Sequence, residues 1–140
     1  MVIGLFLLSY LIGSIPFGAM LVWYLHGIDV LSSGSKSGGA TNVLRLAGWK
    51  TGLLVFLLDV GKGTLPVVIA HALTLSPLET VIIAFAAPLG HMFSLTLFLW
   101  YHERPRRFAG GKGVATAFGI FLGLQPLAAV IALGVFLAVL

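Results

Sequence analysis

The apolar run from Val2 to Leu25 carries no charged residue, and it constrains the fold more than any other part of the sequence. A membrane-spanning helix needs about 20 consecutive apolar residues, so this run is long enough to cross a bilayer. A signal peptide would start with a basic segment and have a shorter apolar core, and neither feature is present. Gly13, Pro16 and Gly18 interrupt the run and predict a kink or close helix packing. We therefore predict a first membrane span here.

Three further apolar segments follow, at about Thr51–Leu75, Leu78–Trp100 and Val114–Leu140. Charged residues make up only 9% of the chain, whereas a soluble domain has about 25%. The absence of cysteine excludes disulfides, thiolate catalysis and cysteine metal sites. We predict an all-α, polytopic membrane helix bundle of about four spans, formed by residues 1–140 as a single transmembrane domain.

The positive charges are concentrated in two polar segments. Seven of the eight Lys and Arg residues lie there, namely Lys36, Arg45 and Lys50 in the first and Arg104, Arg106, Arg107 and Lys112 in the second. Both segments adjoin apolar spans directly, which favours a membrane face or an anionic substrate over nucleic acid. The turn between the second and third spans has no cation, so the positive-inside rule predicts that both basic loops are cytoplasmic and both termini lie outside.

Each basic segment contains a glycine-rich loop, which we call the first loop (Gly34–Arg45) and the second loop (Phe108–Thr116). Both loops place glycines, hydroxyls and a cation just before an apolar segment. Glycine-rich backbone can direct N–H groups at an anion, and the N-terminus of a following helix adds a favourable dipole. We predict that the two loops form one phosphate site at the cytoplasmic surface.

The second span contains two charged residues, Asp59 and Lys62. Their i, i+3 spacing places them on one helix face, where they can pair. Two interpretations remain open: a structural ion pair within a bundle, or one border of a hydrated substrate cavity. Gly61, Gly63 and Pro66 predict that the helix is broken at this point. Broken helices often line such cavities, so a break would favour the second interpretation.

The familiar catalytic motifs are absent from the sequence. Lys112 is followed by Gly113 rather than Ser or Thr, so the second loop is not a Walker A motif. No histidine has an Asp five residues further on, and no histidine pair has metal-ligand spacing, so we expect no metal. His91 is either a packing residue or a residue facing the site. What remains is an anion site that acts by positioning and charge stabilisation.

Four short motifs, in order, resemble those of the bacterial acyl-phosphate:glycerol-3-phosphate acyltransferases. They are Gly34-Ser35 with Gly39-Ala40-Thr41-Asn42 and Arg45, then Asp59-x-x-Lys62-Gly63, then Gly90-His91, then Phe108-x-Gly-Gly-Lys-Gly-Val-Ala-Thr116. The resemblance implies a multi-pass enzyme of the bacterial inner membrane, embedded in membrane lipids, with its active site facing the cytoplasm. It would transfer an acyl group from acyl phosphate to glycerol 3-phosphate, without a cofactor, to give 1-acylglycerol 3-phosphate and phosphate.

The resemblance also implies roles for individual residues. The catalytic candidates, which would bind or polarise phosphate, are Ser35 and Arg45. The substrate-binding candidates are Thr41 and Asn42, which would hold the hydrogen bonds of the first loop, Gly110, Gly111, Lys112 and Gly113, which would receive glycerol 3-phosphate, and Lys62 and His91.

The chain departs from the family pattern at several positions. The family usually has Gly and Asn at the positions of Lys36 and Ser37, Arg at that of Leu31 and Pro at that of Ser94, and the segment 100–107 resembles an insertion. A third motif of the family has no match in residues 1–140, so we expect these residues alone to be inactive. The alternatives are an anion transporter or a truncated non-catalytic paralogue. A transporter would show paired broken helices, and the sequence indicates only one clearly broken span.

Overall fold

The computed structural model describes residues 1–100 and 110–139, and all the regular elements within these ranges are α-helices. In chain order they are α1 (Val2–Gly13), α2 (Phe17–His26), α3 (Ala40–Ala72), α4 (Pro77–Met92), α5 (Leu95–Trp100), α6 (Val114–Leu124) and α7 (Pro126–Val139). The predicted all-α class is confirmed. The cations at positions 104, 106 and 107 lie outside the described residues.

The first apolar run is divided where the sequence predicts a kink. Helix α1 ends at Gly13 and α2 begins at Phe17. Between them, Pro16 has no backbone N–H and disfavours helical geometry at the residue before it. Helix α2 ends at His26, and the following Gly27 adopts a left-handed conformation with φ 65° and donates its N–H to the carbonyl of Trp23 at 3.0 Å.

The predicted break at Gly61–Pro66 is wrong. Helix α3 continues through this region, and its non-helical residue is Gly48, with φ 82° and ψ 171°. The glycine at position 63 instead allows a close approach, because a Cβ there would collide with the carbonyl oxygen of Thr116 on α6. Glycines in apolar helices often serve such contacts between helices, and a local pattern does not distinguish this use from a break.

The expectation that only one span is broken is also wrong. The third apolar segment divides between α4 and α5, and the fourth divides between α6 and α7. Ser94 Oγ accepts the N–H of Leu97 at 3.1 Å, which caps the start of α5. Gln125, with φ −142°, ends α6 because the following Pro126 disfavours helical geometry there.

Helix α3 lies at the centre of the packing. It contacts α6, α4 and α2, while α1 packs mainly against α4. Small residues make these approaches close: a Cβ at Gly119 on α6 would collide with the Val60 carbonyl, and one at Gly13 on α1 with Ala87 on α4. The buried core beside the first loop consists of Ala19, Val22, Val30, Val43, Val55 and Leu97. This core therefore packs directly against the first loop.

Two segments of the described chain are long and apolar enough to cross a membrane, Val2–His26 and Ala40–Ala72. The remaining apolar helices are shorter. Many large apolar side chains are exposed on the outside of the bundle, among them Trp23, Leu57, Phe85 and Phe121. Such a surface suits apolar surroundings. The number of four spans stays a prediction.

Candidate functional site

Asn42 organises the first loop. Its side chain is 2% exposed, and its Oδ1 accepts the backbone N–H of Ser35 at 2.9 Å. Its Nδ2 faces three carbonyl oxygens, those of Val30 and Ser33 at 3.1 Å and of Ser37 at 2.9 Å. One N–H on one side and three carbonyls on the other define the orientation of the amide. Asn42 therefore connects the start of α3 to the whole loop before it.

Two left-handed residues shape the turn of the first loop. Gly34 has φ 59°, and a Cβ at this position would collide with Asn42 Oδ1. Lys36 has φ 54°, a conformation that costs a residue with a side chain roughly 1–2 kcal/mol. Glycine, which the resemblance implies at this position, adopts that conformation without the cost.

The second loop is hydrogen-bonded to the first. The N–H of Gly38 donates to the carbonyl of Gly110 at 2.7 Å. A Cβ at Gly38 would lie 3.2 Å from the same oxygen, and a Cβ at Gly18 on α2 would collide with the carbonyl of Gly38. A side chain at Gly18 would therefore not fit where α2 meets the first loop, and one at Gly38 would crowd the second loop. The two loops, which lie far apart in sequence, form one structural unit.

Gly110 and Gly111 pack against His91 at the end of α4. The N–H of Gly110 donates to Met92 O at 3.4 Å and that of Gly111 to His91 O at 3.3 Å. A Cβ at Gly110 would collide with the His91 carbonyl, and a Cβ at Gly111 with His91 Nε2. In this conformation carbonyl oxygens accept both N–H groups, and the predicted binding of an anion by these glycines stays a prediction.

Most charged and hydroxyl side chains of the two loops face outward, whereas Thr116 is buried. Ser35, Thr41, Arg45 and Lys112 are all exposed. Gly113, with φ 72°, adopts a left-handed conformation just before Val114, the first residue of α6. The exposed side chains are therefore accessible to a ligand, whereas the glycines and Asn42 hold the backbone that carries them. The predicted catalytic and binding roles of these residues stay predictions.

A buried ion pair lies close to the two loops, because it lines the same pocket as Gly38 and Gly110. Lys62 Nζ is 2.9 Å from Asp59 Oδ1, and both side chains are 2% exposed. Lys62 Nζ also donates to the carbonyl of Ile15 at 3.0 Å and lies 5.6 Å from the centre of the Phe17 ring. His91 Nδ1 is 3.6 Å from Asp59 Oδ1. The pairing predicted from the i, i+3 spacing is confirmed.

The ion pair also borders a small pocket of about 10 Å³, about the volume that a single water molecule needs. The walls of the pocket come from the α1–α2 break, both loops, α3 and the end of α4, through residues that include Ile15, Phe17, Gly38, His91, Ser94 and Gly110. The pair is therefore a buried ion pair within the bundle, and its role at the border of a hydrated substrate cavity stays a prediction. Within the described ranges, no group of three or more His, Asp or Glu residues is placed to hold a metal ion.

Hydrogen bonds between two helix breaks close the other side of this pocket, and the sequence did not predict them. Ser94 Oγ donates to the carbonyl of Ser14 at 2.6 Å, and the N–H of Leu95 donates to Ser14 Oγ at 3.4 Å. Tyr10 donates its hydroxyl to Phe93 O at 2.6 Å. The carbonyl of Ser14 thereby accepts a hydrogen bond from the second break, and the carbonyl of Phe93 accepts one from α1. Gly13 and Pro16 marked the first break in the sequence, but nothing there indicated its partner.

These features define a class of protein: an apolar helical bundle whose helix breaks and two glycine-rich, cation-bearing loops converge on one polar site. The chain belongs to the glycerol-3-phosphate acyltransferase family, because the family model described by that name matches residues 3–140.

Curated relatives and solved structures agree with this family. Proteins named glycerol-3-phosphate acyltransferase from Solidesulfovibrio magneticus and Myxococcus xanthus are 44% and 48% identical over 95% and 97% of this chain. The structure is similar to crystal structures of PlsY, an integral membrane glycerol 3-phosphate acyltransferase, in its glycerol 3-phosphate and lysophosphatidic acid forms. Their TM-scores are 0.84 and 0.83, each at 37% identity and 99% coverage of this chain.

The chain is shorter than these relatives. It spans 62% and 67% of the two curated proteins and 64% of the PlsY chain. The matched part contains both glycine-rich loops and the buried ion pair.

Proposed function

We propose that this chain carries the substrate site of a membrane acyltransferase that moves an acyl group from acyl phosphate to glycerol 3-phosphate. One observation carries the proposal: two separate family motifs are joined by the hydrogen bond between Gly38 and Gly110. This bond between the loops supports the prediction that the cations of both loops serve one site. The products would be 1-acylglycerol 3-phosphate and phosphate, in a step of phospholipid synthesis.

The exposed side chains suit the chemistry of two phosphorylated substrates. Arg45 can bind phosphate oxygens with a fork of N–H donors, and Lys112 supplies a second full charge. Ser35 lies on the turn that Asn42 holds, where its hydroxyl can donate to an anionic oxygen. An acyl phosphate is already activated, so holding the acceptor hydroxyl against its carbonyl and stabilising the developing charge would supply the catalysis.

A membrane setting fits these substrates. The acyl tail would remain in the lipid while both phosphate groups meet the loops at the surface, which the positive-inside rule places in the cytoplasm. The apolar spans, the exposed apolar side chains and the integral membrane character of the solved relative all support this setting. Family membership favours acyl transfer over anion transport.

Lys112→Ala tests the assignment of the second loop. In an active chain, extended with the C-terminal part of a relative, this variant is expected to raise the KM for glycerol 3-phosphate about tenfold or more, because it loses a charge-assisted hydrogen bond worth roughly 1.5–3 kcal/mol. The measurement follows labelled glycerol 3-phosphate into lysophosphatidic acid with acyl phosphate as donor. Lys50→Ala is the matched control, since Lys50 is an exposed cation beyond the glycine-rich stretch. An unchanged KM for Lys112→Ala would remove glycerol 3-phosphate from this loop.

A further inference from the structure

The buried charges Asp59 and Lys62 make contacts that lead to both glycine-rich loops. Their side chains are 2% exposed, so they are shielded from a ligand that approaches the exposed face of the loops. Burying an ion pair in an apolar bundle is costly and seldom adds net stability compared with apolar residues of similar size. The contacts that surround the pair give a reason for its presence.

One set of contacts leads to the first loop. Lys62 Nζ donates to the carbonyl of Ile15, in the break between α1 and α2. Immediately after this break, the Phe17 ring lies 5.6 Å from the same ammonium group, and Gly18 packs against the carbonyl of Gly38. Lys62 therefore holds the start of α2, and α2 sets the position of Gly38 in the first loop.

The other set of contacts leads to the second loop. Asp59 Oδ1 lies 3.6 Å from His91 Nδ1. The carbonyl of His91 accepts the N–H of Gly111, and the His91 ring leaves no room for a Cβ on that glycine. The orientation of the His91 ring therefore determines where Gly110 and Gly111 can pack. Gly110 in turn accepts the hydrogen bond from Gly38 that joins the loops.

We propose that Asp59, Lys62 and His91 are positioning residues that set the distance between the two loops. They act through Ile15 and Gly111 and do not touch substrate. This role differs from the direct binding that the sequence motifs imply for Lys62 and His91. The kinetic consequence rests on the proposed function, whereas the structural consequence, the distance between the loops, does not.

The structural test measures the distance between the loops directly. The chain has no cysteine, so cysteines introduced at the exposed positions Lys36 and Val114 can be spin-labelled. Pulsed electron paramagnetic resonance then measures the distance between the two labels in lipid. In the parent chain we expect one narrow distance distribution. In Asp59→Asn, Lys62→Met and the double variant, the distribution is expected to broaden or shift, because the link to one or both loops is lost.

The double variant Asp59→Asn/Lys62→Met separates positioning from simple stability. Removing one charge leaves the other buried and unpaired, which destabilises the bundle, whereas removing both relieves this cost. We expect the double variant to recover thermal stability relative to the single variants, while its KM for glycerol 3-phosphate stays at least tenfold above that of the parent. The control is Ser76→Ala, which breaks the capping box at the opposite end of α4 from His91 and should lower stability without changing the KM or the distance.

The outcomes distinguish the two proposals. A double variant with a parent-like distance distribution and KM would show that the pair is only structural and would overturn this inference. A parent chain that is extended with the C-terminal part of a relative and still shows no acyl transfer would overturn the proposed function, while the distance measurement would still decide the inference. Acyl transfer in the parent together with an unchanged distance in all three variants would overturn the inference alone.

Discussion

Replacing Asn42 by alanine should open the first loop, and the size of the effect can be worked from the contacts. The amide has one acceptor oxygen and two hydrogens, so it can make three good hydrogen bonds at a time among its four contacts, those to Ser35, Val30, Ser33 and Ser37. At about 1 kcal/mol for each bond, their loss amounts to ~3 kcal/mol. This free energy corresponds to an increase on the order of a hundredfold in the population of the open loop.

Cleavage by trypsin after Lys36 measures this opening. Lys36 lies in the loop, and the rate of cleavage follows the population of the open form when closing is fast. We expect Asn42→Ala to be cleaved after Lys36 at least tenfold faster than the parent, with the fragments identified by mass spectrometry. Thr41→Ala is the matched control, because its side chain is exposed at the neighbouring position, and its cleavage rate should stay within about twofold of the parent rate.

The isosteric variant Asn42→Asp sharpens the test. It keeps an oxygen for the N–H of Ser35 but points a second carboxylate oxygen at three carbonyls, which cannot donate to it. Asn42→Asp should therefore protect the loop no better than alanine does. If Asn42→Ala is cleaved within threefold of the parent rate, or if Asn42→Asp is cleaved as slowly as the parent, the hydrogen bonds of Asn42 do not hold this loop.

Two further predictions concern α3 and the topology. Gly61→Ala should raise the melting temperature in detergent, because a Cβ there meets open space and alanine favours a helix by about 1 kcal/mol. Gly63→Ala should lower the melting temperature, because its Cβ would collide with Thr116 O. A shift of the melting temperature in the same direction for both variants would contradict the α3–α6 packing. Single cysteines at Ser33 and Thr74 should react with impermeant reagents from opposite sides of the membrane, Ser33 from the cytoplasm, and labelling of both from one side would contradict the proposed topology.

Several features could be read from the sequence because their causes are local. The apolar runs depend only on composition. A proline alone does not decide a break, since Pro66 lies inside α3, but Gly13, Pro16 and Gly18 together indicated the break between α1 and α2. The i, i+3 spacing of Asp59 and Lys62 places them together once the segment is helical. The order of the four motifs was enough to indicate the family that the comparison confirmed.

The roles of the glycines could not be read in the same way. Gly61 and Gly63 look alike in sequence, yet Gly61 faces open space and Gly63 faces the carbonyl of Thr116, which lies far along the chain. The break in α3 lies instead at Gly48, where φ is 82°. Whether a glycine marks a break, a turn or a close contact depends on what lies opposite it, and only the packing of distant segments supplies that neighbour.

The sequence by itself determined that the chain is helical and apolar, where its charges pair along one helix and which family it belongs to. The tertiary structure alone decided that Gly38 donates to Gly110, that His91 packs against Gly111 and that Lys62 holds the carbonyl of Ile15. These contacts join residues remote in sequence, and their geometry depends on how α2, α3 and α4 pack together. For that reason the motifs could be recognised one by one in the sequence, whereas the site they form required the fold.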